Sequence, residues 1–72
     1  MFCYVVVQEE LSNPDLGRYR SYGISAVNKR GEHVAFVSDV SPDPKVAAQI
    51  AGLCTVGQLD PEQLIDVIQN MI

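Results

Sequence analysis

From Phe2 to Gln8 the chain is dense in β-branched and aromatic residues, and both alternating sets are apolar. Phe2, Tyr4 and Val6 form one set and Cys3, Val5 and Val7 the other. A strand of that kind calls for cover on both faces. Ser12–Gly17 (SNPDLG) is turn chemistry: proline fixes φ, Asn and Asp offer side-chain acceptors, and Gly17 is free to take positive φ. Arg18 to Asn28 then alternates, with Tyr22, Ile24 and Ala26 on one side and Ser21, Gly23 and Ser25 on the other, the pattern of a half-buried strand. Asn28-Lys29-Arg30-Gly31 predicts a hairpin with Gly31 in the left-handed position. His33 to Val40 predicts a third strand, with Val34 and Phe36 as its core residues.

After the third strand the period changes from two to about 3.6. Val46, Ile50, Leu53 and Cys54 make one apolar stripe, flanked by Ala47 and Ala51. Thr55–Leu59, containing Gly57, is a break. Asp60-Pro61-Glu62-Gln63 is a helix start: Asp as N-cap, Pro in the first turn, and Gln three residues after the cap. The last helix carries Leu64, Ile65, Val67, Ile68, Met71 and Ile72, an arc broader than one sheet face needs. The order βββαα predicts an α+β fold, a three-stranded antiparallel meander followed by two α-helices packed on one sheet face. Two surfaces are then left over: the second face of the first strand and the outer arc of the last helix. A homodimer would use one of them, and Cys3, Val5, Val7, Tyr19 and Val27 are the candidate interface.

Composition narrows this picture. Seventy-two residues, 47% of them hydrophobic and 19% charged, make one small domain spanning residues 1–72. A chain this short buries only about 60% of its unfolded surface, so stability is marginal without a staple. Cys3 and Cys54 are widely separated, lack CxxC spacing and lie in apolar surroundings. They read as reduced core residues of a cytoplasmic protein rather than as a disulfide. Oligomerisation is the staple that remains. The opening MFCYVVVQEE lacks a basic segment and reaches charge at Glu9, so a signal peptide is not expected, nor is a membrane span. The net charge is −4. Residues 1–33 carry four basic and four acidic side chains, whereas residues 34–72 carry Lys45 against five acids, so the helical half is the acidic half. That balance repels nucleic acid and anionic membrane.

Candidate chemistry is sparse. In SDVSPDP (Ser38–Pro44), Asp39-x-Ser41-x-Asp43 copies the first ligand positions of a calcium-binding EF-hand loop. Pro44 stands where that loop needs glycine and Ile50 where it needs a bidentate Glu, which excludes it. The residues are better explained as a strand-to-helix joint, with Asp43 or Ser41 capping the first helix. His33 is the only histidine, so a multi-histidine metal site cannot form within one chain. A Cys54–His33 nucleophile pair would require the two to meet, yet Cys54 sits on an apolar helix stripe where a thiol is inert. No phosphate-binding glycine motif is present. Arg18, Tyr19, Arg20 and Tyr22 interleave base and aromatic, but only Arg18 and Arg20 share a face with Tyr22, and Tyr22 has a core role. The two helices do not suit a DNA-reading pair, since the second carries Glu62 and Asp66 and no Lys or Arg.

Three segments together resemble a short uncharacterised domain of Gram-positive anaerobic bacteria, over nearly the whole chain. They are Tyr22-Gly23-Ile24, Asp39-Val40-Ser41, and Leu59-Asp60-Pro61 followed by Leu64, Ile65, Val67 and Ile68. The resemblance implies a bacterial origin and carries no activity, ligand or catalytic residue. The sequence therefore points to a non-enzymatic module working by protein–protein contact, with itself or another chain, and without cofactor or metal. The competing expectation is a small-ligand binder or minor enzyme with a pocket near Tyr19, Tyr22, His33 or Cys54.

Overall fold

The computed structural model describes residues 1–71; the Ile72 expected in the last helix lies outside them. The order is β1 (Phe2–Asn13), β2 (Gly17–Asn28), β3 (His33–Ser41), α1 (Pro44–Val56), a short 3₁₀ turn (Pro61–Gln63) and α2 (Leu64–Met71). The strands form one antiparallel sheet in the order β1-β2-β3, and the helices pack against it, as the βββαα pattern requires.

β1 runs five residues past the expected end at Gln8. Beyond Gln8 the strand is polar, but its backbone still pairs with β2 as far as Asn13 opposite Gly17. A two-stranded ribbon needs only its ladder there, not an apolar face. The turn closes at Pro14–Leu16, where Asn13 Oδ1 accepts the Asp15 N–H at 2.8 Å and Gly17 takes φ 72°. At the second hairpin Asn28 Oδ1 accepts the N–H groups of Arg30 (2.9 Å) and Glu32 (3.0 Å), and Gly31 sits at φ 81°.

Register fixes what each face carries. Tyr4 pairs with Ala26, and Val6 with Ile24, on the helix side; Cys3 pairs with Val27, Val5 with Ser25 and Val7 with Gly23 on the other. The core is Tyr4, Ile24, Ala26, Val40, Ile50, Ala51, Cys54, Leu64 and Ile68. Two expectations for β3 are corrected. Val34 and Phe36 are exposed, while Ala35 and Val37 pack against the core. The first of two register shifts accounts for this: Ala35 opposes Ala26 and His33 opposes Val27, leaving Val34 as the extra residue; at the second, Ser38–Val40 stand opposite Gly23 alone. In the second bulge Asp39 takes φ 54°, a left-handed conformation that Asp tolerates better than most residues, and the kink turns Val40 into the core.

The stripe of α1 is also shifted. Ala47, Ile50, Ala51 and Cys54 are buried, whereas Val46 and Leu53 are exposed, Leu53 at 63%. Alanine on the sheet side lets the helix backbone come close, which pushes the larger residues to the rim. Asp43 caps the helix, accepting the Lys45 N–H at 2.9 Å, and Ser41 Oγ accepts the Asp43 N–H at 3.1 Å. Asp60 accepts from Glu62 N–H at 3.0 Å, so the expected second helix opens with a 3₁₀ turn before α2. α1 is tied to the start of β1 by side chains. Thr55 Oγ1 accepts the Tyr4 N–H (2.9 Å), Gln58 Oε1 accepts the Phe2 N–H (3.1 Å), and the Tyr4 hydroxyl donates to the Leu59 carbonyl.

Candidate functional site

Both helices lie on one side of the sheet, so among the described residues its other face has no second layer. Alternation from the observed register places Cys3, Val5, Val7, Glu9 and Leu11 of β1 on that open face, beside Val27, Ser25, Gly23, Ser21 and Tyr19 of β2. The five residues expected at an interface, Cys3, Val5, Val7, Tyr19 and Val27, therefore share one surface. Phe36, 49% exposed, joins them from β3 through its pairing with Ser25. Cys3 is a free, exposed thiol, not the core residue its apolar neighbours suggested.

The central strand presents only small groups here: Ser21, Gly23 and Ser25. Long side chains from the two edge strands can therefore reach across it, and they bury it; Ser21 is 0% and Ser25 2% exposed. At one end, Glu9 spans from β1 to the β3 bulge. Its Oε1 accepts from Ser38 Oγ at 2.9 Å and its Oε2 accepts the Asp39 N–H at 2.9 Å. The Asp39 carboxylate in turn accepts from Ser21 Oγ (2.5 Å) and the Tyr19 hydroxyl (3.0 Å). That bond to Asp39, together with burial and the charges of Asp39 and Glu9, pushes the Tyr19 phenol above its ordinary pKa. At the other end Ser25 Oγ lies 2.6 Å from His33 Nδ1 and 3.2 Å from the Ala35 carbonyl oxygen. Between the two polar ends lies an apolar band of Val5, Val7, Val27 and Phe36.

The bonds within this acidic end are mutual, and among the described residues no buried side-chain nitrogen or oxygen lacks a partner. Nor do the described residues hold a group of three His, Cys, Asp or Glu placed to bind a metal ion. The Asp39 carboxylate, bonded to Tyr19 and Ser21, organises the open face. The sequence signal for this was the small-residue set of β2 together with Asp at the end of β3, and only the bulge brings the two together.

The residues of the expected pocket do not converge. Tyr19 and His33 lie towards opposite ends of the open face, while Tyr22 and Cys54 are on the helix side. The sheet separates Cys54 from His33, so they form no nucleophile pair. Burial pushes the Cys54 thiol up, away from a reactive thiolate. Arg20 meets Glu10 at 3.8 Å on the exposed ribbon, which leaves one fewer free cation there. A second apolar surface lies between the helices, a groove of about 140 Å³ lined by Leu53, Cys54, Gly57, Leu59, Val67 and Met71. No helix among the described residues is long and apolar enough to cross a membrane.

No curated protein and no solved structure matches the chain. The model of DUF6514, a family of unknown function, matches residues 1–72, and the chain belongs to that family.

Proposed function

We propose that the chain is a non-enzymatic interaction module of the bacterial cytoplasm that works by protein contact through the open face of its sheet, self-association included. One observation carries this reading: the helices cover one face, and the other presents Cys3, Val5, Val7, Val27 and Phe36 as a continuous apolar band between polar ends. Exposed contiguous apolar surface on a small domain marks a contact site more often than a solvated one. Two free cysteines on opposite sides of the sheet suit a reducing compartment. The small-ligand reading has less behind it, because Tyr19, Tyr22, His33 and Cys54 do not share a cavity.

The test is photo-crosslinking in living cells with benzoylphenylalanine at position 36, against the same group at Gln49 on the exposed side of α1. A discrete adduct from position 36 and none from position 49 is the expected result. Equal or absent adducts at both positions would remove the open face from consideration.

A further inference from the structure

The geometry points to a second copy of this chain as the occupant of the open face, packed sheet to sheet about a two-fold axis that crosses the strands near Gly23 and Ser25. This rests on the reading above and adds its partner and register.

The polar groups of the face are not symmetric along the strands. Glu9 and Asp39 lie level with Ser21, and His33 lies level with Val27; in the hairpin just beyond, Lys29 and Arg30 outnumber Glu32, so that end is net positive. The two levels are six residues apart on β2, about 20 Å. A two-fold axis lying across the strands midway between them reverses strand direction and sets each strand over its own copy. The acidic end of one chain then faces the basic end of the other. Asp39 comes opposite His33 of the second copy, and Tyr19 comes opposite Lys29. Near the axis Val5 lies over Val7 of the second copy, and the two Phe36 rings meet. An axis along the strands would instead set like ends together, acidic on acidic, which like charges oppose. Charge complementarity therefore selects both the occupant and the register.

Area agrees with a specific but modest contact. Three strands about 4.8 Å apart make a strip about 14 Å wide, and the ten residue steps from Tyr19 to Lys29 make it about 34 Å long. Two such strips bury about 1,000 Å² before side-chain relief is counted, which is the lower bound for a specific interface. Self-association in the micromolar range is the expected strength.

The experiment combines sedimentation velocity of the full chain up to about 100 μM with cysteine crosslinking by a short bifunctional thiol reagent, because facing sheets lie about 10 Å apart, too far for a direct disulfide. In a Cys3→Ser background, Val5→Cys chains are mixed with Val7→Cys chains and treated with that reagent; the register expects the mixture to yield more covalent dimer than either variant alone. His33→Glu, an exposed change, should weaken the dimer about tenfold by facing Asp39 with a like charge. Circular dichroism of each variant shows that it remains folded. A dimer whose mixed cysteines do not link preferentially, or one unaffected by His33→Glu, overturns the register. A chain that stays monomeric at every concentration overturns self-pairing. The wider reading then stands or falls separately on the adduct at position 36: an adduct heavier or lighter than two chains keeps open-face contact with a different partner.

Discussion

The ring of Phe36 lies over Gly23 so closely that a Cβ added there would stand 2.8 Å from the ring and 2.6 Å from the Val37 carbonyl oxygen. Glycine in the central strand thus does two things. It accommodates the three-residue bulge opposite it, and it seats the largest apolar side chain of the open face.

Gly23→Ala should destabilise the fold by about 1–3 kcal/mol, the range for overpacking a site that cannot relax. Adding Phe36→Ala should recover only part of the loss, because the Val37 carbonyl is backbone and cannot swing aside. Urea unfolding of the single and double variants measures both effects. Full recovery would mean that the ring alone sets the constraint.

Substitutions at Asp39 separate backbone from side chain. Asp39→Asn keeps an acceptor and tolerates the left-handed backbone, so it should cost least. Asp39→Gly keeps the φ of 54° without strain but removes the acceptor for Ser21 and Tyr19. Asp39→Ala loses both and should be less stable than the glycine variant by about 1 kcal/mol. In the glycine variant the Tyr19 phenol should titrate at lower pH than in the parent, since its hydrogen bond to Asp39 is the first cause of its raised pKa. Ultraviolet titration of the tyrosines follows that shift.

Asp43→Ala should cost about 1 kcal/mol as a lost N-cap. For a domain of this size that lowers the melting temperature by about 4–8 °C. Ser41→Ala should cost less, because its hydroxyl orients the cap residue and holds no helix amide. Equal losses would show that the two side chains act as one cap.

Alkaline pH should expose the core through Cys54 and Tyr4. Burial raises both pKa values, with the charges of Cys54 and Asp60 adding to the effect on Tyr4. Raised folded-state values favour the protonated forms in the native state. The corresponding stability is complete below the unfolded values and is lost as pH rises through the folded ones. The urea midpoint should therefore hold steady up to about pH 8.5 and fall above it. At pH 7.5 iodoacetamide should modify Cys3 readily and Cys54 only on unfolding, in line with their exposure. Fast labelling of Cys54 in the folded chain would contradict its place in the core.

Much of the fold was legible because its signals are local. Period two gave way to period 3.6 at Ser38–Pro44, and Asp43-Pro44 and Asp60-Pro61 marked both helix starts. The glycines at 17 and 31 marked the two turns. What the sequence concealed depends on register. A bulge shifts every later side chain, so Val34 and Phe36 read as core until Val34 was placed as the extra residue between the His33–Val27 and Ala35–Ala26 pairs. The stripe of α1 misled for a related reason: Val46 and Leu53 are more hydrophobic than Ala47 and Ala51, but closeness to the sheet selects the smaller pair. The open face was half visible, since the apolar set Cys3, Val5 and Val7 had no layer to cover it. The Glu9–Asp39 bridge joins two edge strands thirty positions apart, and no local pattern signals a contact of that kind.

The central claim is that the open sheet face is the surface on which two copies of this chain meet. Amide NMR spectra of the isotopically labelled protein, recorded from about 20 μM to about 1 mM, locate any self-contact residue by residue across the micromolar range expected of a modest interface. Concentration-dependent shifts should gather at Val5, Val7, Val27, His33 and Phe36 and leave the exposed side of α1 unchanged. Shifts gathered at Leu53, Val56 and Met71, or none at any concentration, would contradict it.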